Sequence, residues 1–249
     1  TWGAEVFPGS SLPNAMVQVS PVTKFHSGAG YQYEDSVIYG FTHTNKGHWN
    51  LCHIPLLPVT GTPTPGDYCS PFSHERESAA PGYYQVFLDR YGVDAQRSAT
   101  LRCAFDKYTY PAGAAASLLA DLQRSNEHVR AWDIRKEGDN VFAGWQQTGE
   151  KMYFYAVANR PVTGIDPFVE GDREVRIVRF GEGDGALELR IGFSFVSEKN
   201  ARENLEAEML GKSFAEVRSE ATATWNDLLG RIRVEGGTEQ PLARGEGLA

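Results

Sequence analysis

No apolar run in this 249-residue chain approaches the roughly 20 residues needed to cross a bilayer, which excludes a membrane-spanning helix. Cations are the scarcer charge: 24 Lys and Arg stand against 32 Asp and Glu, a formal net charge of -8 at pH 7. That balance repels a phosphate backbone, and no dense Lys/Arg stripe with interleaved aromatics overcomes it, so nucleic acid is excluded as a partner. Cysteine is also scarce. Cys52, Cys69 and Cys103 sit too far apart for a CxxC metal or redox signature, and no zinc site follows from them. One disulfide plus a free thiol and three buried thiols are both open. The chain opens at Thr1 without a charged, apolar signal segment, which fits a mature secreted protein and a trimmed one equally well.

What is present is an ordinary globular composition, 41% hydrophobic and 22% charged, in a chain long enough to bury a substantial core. From Ala15 to Val196 the dominant period is two, in short segments separated by Gly, Pro, Asp or Asn. In Leu187 to Phe195, for example, Leu187, Leu189, Ile191, Phe193 and Phe195 face a core while Glu188, Arg190, Gly192 and Ser194 face water. Ser117 to Leu122 reads as a strand covered on both faces. Turn signals at residues 137–140, 148–150 and 181–185 have hairpin spacing. The pattern predicts a mainly β fold, a large antiparallel two-sheet β-sandwich over residues 1–197, in preference to a barrel.

After Ser197 the period becomes helical, and two helices are expected within residues 198–230. The first, in the charged stretch Glu198 to Leu210, carries Ala201, Leu205 and Met209 four apart on one face. The second opens at a capping box, Ser213 with Glu216, carries the stripe Phe214, Val217, Ala221, Trp225 and Leu228, and ends at Gly230 in the left-handed conformation. Residues 231–249 read as a linker or frayed tail.

Four stretches carry most of the remaining information. They are Phe7-Pro8-Gly9 running through Leu12-Pro13 and Met16-Val17-Gln18 to Pro21, and the pair Gly30-Tyr31-Gln32-Tyr33-Glu34-Asp35-Ser36 and Gly40-Phe41-Thr42-His43-Thr44. The others are Phe72-Ser73-His74-Glu75-Arg76-Glu77 with Pro81-Gly82-Tyr83-Tyr84, and Arg102-Cys103-Ala104-Phe105 running to Pro111. Alone, the first is a Pro/Gly-rich loop feeding a strand. Glu34-Asp35 reads as a turn, and Glu75 and Glu77 as two carboxylates sharing one face of a strand in a salt-linked surface patch. His74-Glu75 lacks the second His of a zinc-binding helical motif.

Taken in order, these stretches resemble the amino-terminal domain of family 92 of the glycoside hydrolases, and the resemblance covers about nine tenths of the chain. It implies an exo-acting, calcium-dependent, inverting α-mannosidase of mannose-rich glycans, secreted, periplasmic or at the cell surface. A C-terminal (α/α)₆ barrel would be this domain's partner and would supply the general acid, the general base and most of the sugar subsite. Inversion needs two carboxyl groups about 6.5–9.5 Å apart; no such pair, no catalytic residue and no metal ligand is nominated in this chain. The chain alone is expected to be inactive. The segment His43 to His53, rich in amide, imidazole and indole groups, is the candidate sugar contact, with His48, Trp49, Asn50, Cys52 and Phe7 as substrate-binding residues. Packing of Trp49 against the barrel is the competing reading. The family's small-residue run after the His-Thr pair is replaced here by Asn45 to Asn50, which leaves the cleaved linkage open. Two further functions compete: an autonomous, lectin-like carbohydrate-binding module, and a remnant without function.

Overall fold

Alternating side chains and frequent turns give two large antiparallel sheets. The computed structural model describes residues 7–46, 49–61, 63, 68–183 and 185–233. One sheet has seven strands in the order Ser10–Ser11, Gln18–Val22, Gly40–Thr42, Leu56–Thr60, Ala116–Ala120, Arg173–Phe180 and Val162–Glu170. The other has eight, in the order Ala131–Gly138, Val141–Gln147, Lys151–Ala158, Leu187–Ser194, Cys103–Thr109, Val93–Ala99, Tyr83–Leu88 and Glu77–Ala80. Their facing sides bury one continuous core, including Val19, Phe41, Leu57, Tyr84, Phe154 and Phe193. The only helix among the described residues before Ser197 is the single turn His74–Arg76. Ala116–Ala120 is buried along its whole length, as a strand covered on both faces should be.

Two helices follow, α1 (Glu198–Met209) and α2 (Phe214–Leu229). The capping box is present: Ser213 Oγ accepts from the Glu216 N–H while the Glu216 carboxylate accepts from the Ser213 N–H. Leu205, Met209, Phe214 and Val217 pack with Tyr83, Cys103 and Phe105 on the outer face of the eight-stranded sheet. That face is therefore not wet where the alternation of Leu187 to Phe195 predicted water. Gly192 lies under α1, where a Cβ would stand 2.1 Å from the Ala201 carbonyl oxygen and 2.8 Å from Leu205 Cβ. Ser194 is buried as well, and Phe195, expected in the core, is exposed because the strand ends at Ser194.

Three other expectations change. Gly230 has φ -70° and ψ -6°, so α2 ends right-handed rather than in a left-handed cap. Residues 181–185 do not close a hairpin: they join Arg173–Phe180 in one sheet to Leu187–Ser194 in the other. Glu75 sits on the helical turn and Glu77 opens a strand, so they share no strand face. Cys52 and Cys103 are buried free thiols, and Cys69 is half-buried.

Candidate functional site

Strand register gathers one set of connections at one end of the sandwich. In the eight-stranded sheet these are the turn between Ala99 and Cys103, the turn between Gln147 and Lys151, and the residues after Ser194. The seven-stranded sheet brings the connection before Gln18 to the same end, where the Met16 N–H donates to the Leu101 carbonyl. The hairpin Asn45–Lys46 with Trp49–Asn50 grows from the strand Gly40–Thr42 at this end too.

The hairpin is tied down at its base by buried polar side chains. Asn50, fully buried, accepts the Cys52 N–H on Oδ1 at 2.7 Å and bonds with the Thr42 hydroxyl. Asn126 Nδ2 donates to the Asn50 carbonyl at 2.6 Å, and Asn126 Oδ1 accepts from the His26 N–H. Gln146 Oε1 accepts the Ile54 N–H at 2.8 Å while its Nε2 donates to the carbonyls of Leu122 and Arg124. Such bonds matter because Cys52 (φ 54°) and the β-branched Ile54 (φ 52°) are both left-handed. Each such position costs on the order of 1–3 kcal/mol and persists only where its surroundings over-determine it.

His53 lies between those two residues and is nearly fully buried. Its Nε2 faces Glu127 Oε2 at 3.1 Å and Thr148 Oγ at 3.1 Å, and its Nδ1 faces Thr44 Oγ at 2.9 Å. A neutral ring protonated on Nε2 satisfies all of this, with the Thr44 hydroxyl donating to Nδ1. Burial lowers the His53 pKa, opposed by Glu127. His43, also buried, donates from Nδ1 to the Ile54 carbonyl at 3.0 Å; burial and then Arg97 bring its pKa down to about 3.

Of the nominated sugar contacts among the described residues, Trp49 alone presents an open side chain on this hairpin, 40% exposed. His48 lies outside the described residues. Asn50 and Cys52 are both 0% exposed, so neither touches a ligand from solvent: the amide of Asn50 is spent on the backbone, and burial pushes the Cys52 thiol up to about 12. Phe7 is half-buried in the approach to the edge strand Ser10–Ser11. The bracing residues Asn126, Glu127, Gln146 and Thr148 were not foreseen. They lie 74 to 95 residues from Asn50, His53 and Ile54, the residues they brace, and no local signal marks them.

Exposed apolar side chains collect at the same end: Trp49, Leu101, Phe195 and Val196. Helix α2 runs toward it, with Phe214 on Phe105, Ala221 against Gly82 and the Trp225 indole N–H donating to the Ser11 carbonyl at 2.7 Å. Its last residues, Leu228 and Leu229, and Ile232 beyond, are exposed.

The two-sheet sandwich with helices on its outer face is a fold shared with a bacterial glucoamylase, at a TM-score of 0.59 and 10% identity over 92% of this chain and 38% of that one. The chain belongs to glycosyl hydrolase family 92: the family's N-terminal domain matches residues 1–207, and its catalytic domain matches residues 200–244. The family 92 α-mannosidase BT3965 of Bacteroides thetaiotaomicron superposes with a TM-score of 0.84 at 25% identity, over 94% of this chain and 37% of its own. The inverting mannosidase BT2199 of the same organism gives 0.82 at 24% identity, over 94% and 34%. A secreted glycosidase of Arthroderma benhamiae is 24% identical, over 94% of this chain and 37% of its own length. The chain thus spans just over a third of the relatives it matches.

Proposed function

We propose that this chain is the amino-terminal domain of a secreted, exo-acting, inverting α-mannosidase of mannose-rich glycans, and that it completes the substrate cleft of a catalytic domain. The observation that carries this is the half-open indole of Trp49, held on a braced hairpin at the end toward which α2 runs, in the region matched by the family's catalytic domain. An indole fixed in this way offers a flat apolar surface to one face of a pyranose at little further entropic cost. Asn50, His53, Asn126 and Gln146 act as positioning residues. The general acid and base belong to the catalytic domain, since water-assisted inversion needs two carboxyl groups about 6.5–9.5 Å apart across a sugar.

Calcium is part of the proposal for the whole enzyme. It is implied by the family resemblance, with its ligands on the catalytic domain.

The test is a division of labour. Purified residues 1–249 should release no mannose from α-mannosides, whereas the same chain continued through its catalytic domain should release it with inversion of the anomeric centre. Mannose release by residues 1–249 alone contradicts the proposal.

A further inference from the structure

Two motifs that the cleft does not use come together elsewhere. Tyr33 to Ser36 and Phe72 to Glu75 line one recess of about 460 Å³ on the flank that carries the edge strand Glu77–Ala80. Such a volume lies within the roughly 300–1,000 Å³ typical of small-molecule sites.

Tyr33 is 64% exposed, yet its ring is fixed. One face stacks on the His74 imidazole, centroids 4.0 Å apart and planes 7° from parallel. His74 is itself held at both nitrogens, Nδ1 against Glu77 Oε2 at 2.5 Å and Nε2 against the Tyr33 carbonyl at 2.6 Å, with the Phe72 ring edge-on at 5.2 Å. Glu77 is anchored in turn by the hydroxyls of Tyr31 and Tyr84. The outer face of Tyr33 is thus a preorganised aromatic surface.

Around it stand hydrogen-bond acceptors: Glu34, Asp35 and Glu75 line the recess. Arg76 points away, paired with Asp89 and stacked over Phe87. A flat apolar face bordered by acceptors, with no Lys or Arg in the lining, matches a neutral ring with C–H groups on one face and hydroxyl donors on its rim.

We propose that Tyr33, with Glu34, Asp35 and Glu75, forms a second sugar-binding site, separate from the Trp49 end, that takes one pyranose of a mannose-rich glycan. The choice of mannose rests on the proposed function; the site rests on the recess. Its chemistry is retention of glycan, not cleavage.

The test is titration of isotopically labelled residues 1–249 with methyl α-D-mannopyranoside, followed by amide shifts, and with soluble α-mannan, followed by affinity. Saturable shifts at residues 33–36 and 73–75 are expected. Tyr33→Ala should weaken mannan binding by about tenfold, Tyr33→Phe should keep it within about twofold, and Trp49→Ala should leave the shifts at residues 33–36 intact. Tyr33 is exposed, so Tyr33→Ala should unfold at the wild-type denaturant midpoint. Shifts confined to the hairpin, mannan affinity unchanged in Tyr33→Ala, binding of methylammonium in place of the sugar, or no binding of either sugar would each overturn the site. None of these outcomes bears on mannose release by the two-domain enzyme, which tests the proposed function separately.

Discussion

Breaking the ion pair between Arg97 and Asp106 should be among the most damaging single changes available in this domain. The two residues are cross-strand partners with both side chains 0% exposed. Arg97 Nε donates to Asp106 Oδ1 at 2.7 Å and Nη2 to Oδ2 at 2.5 Å, and the Tyr108 hydroxyl donates to Oδ2 at 3.0 Å. The guanidinium lies 4.4 Å from the centre of the Phe41 ring in the opposite sheet, and Nη2 is 3.4 Å from His43 Nε2. Arg97→Met keeps much of the side-chain volume but strands a buried carboxylate. The expected cost is about 3–5 kcal/mol, a large share of the roughly 5–15 kcal/mol that holds a typical domain together. The double variant Arg97→Met with Asp106→Leu removes both charges; it leaves the Tyr108 hydroxyl without its acceptor, worth about 1–3 kcal/mol, and His43 Nε2 without its long contact to Nη2. It should therefore recover much of the lost stability. Urea unfolding of wild type, both single variants and the double variant measures this. A cost below about 1 kcal/mol for Arg97→Met, or a double variant no more stable than the single ones, would refute the reasoning.

Three other outcomes follow from the packing and the titrating groups. Gly192→Ala places a methyl group 2.1 Å from the Ala201 carbonyl, so α1 must move; a loss of about 1–3 kcal/mol and faster proteolysis within α1 are expected, and an unchanged unfolding midpoint would contradict the close approach. His43 is held neutral, its pKa lowered from 6.5 to about 3, so the unfolded chain binds the extra proton between those values. Stability should then fall as pH drops below about 6.5, by about 1.4 kcal/mol per pH unit from this group, and His43→Gln should flatten that slope in urea midpoints measured from pH 7.5 to 4.5. Burial raises the thiol pKa of Cys52 and Cys103, so a thiol reagent at pH 8 should modify Cys69 first and reach all three only after unfolding; rapid native labelling of Cys103 would count against the packing of α1 and α2.

Much of the fold was legible because period-two alternation and a capping box are local signals. Leu187 to Ser194 and the Ser213–Glu216 cap could be read within a few residues of chain. Gly192 was misread for the opposite reason: nothing in its own strand announces that α1, later in the sequence, lies against it. The same limit applies to the site. Trp49 could be picked out as a large side chain in a polar loop, but Asn50 and Cys52 look equally suitable as sugar contacts until the backbone is seen to consume the one and bury the other. The braces that hold the strained positions 52 and 54 come from residues 126, 127, 146 and 148, and only tertiary structure brings those together.

The central claim is that Trp49 borders the substrate cleft rather than packing between domains, and Trp49→Ala in the enzyme that includes the catalytic domain tests it most directly. A stacked indole contributes apolar contact at about 25 cal/mol per Å², so its loss should lower kcat/KM by an amount equivalent to roughly 1–3 kcal/mol while the melting temperature hardly changes. Unchanged kcat/KM together with a stability loss of about 3–5 kcal/mol, the signature of a cavity left by a packed aromatic, would contradict the account.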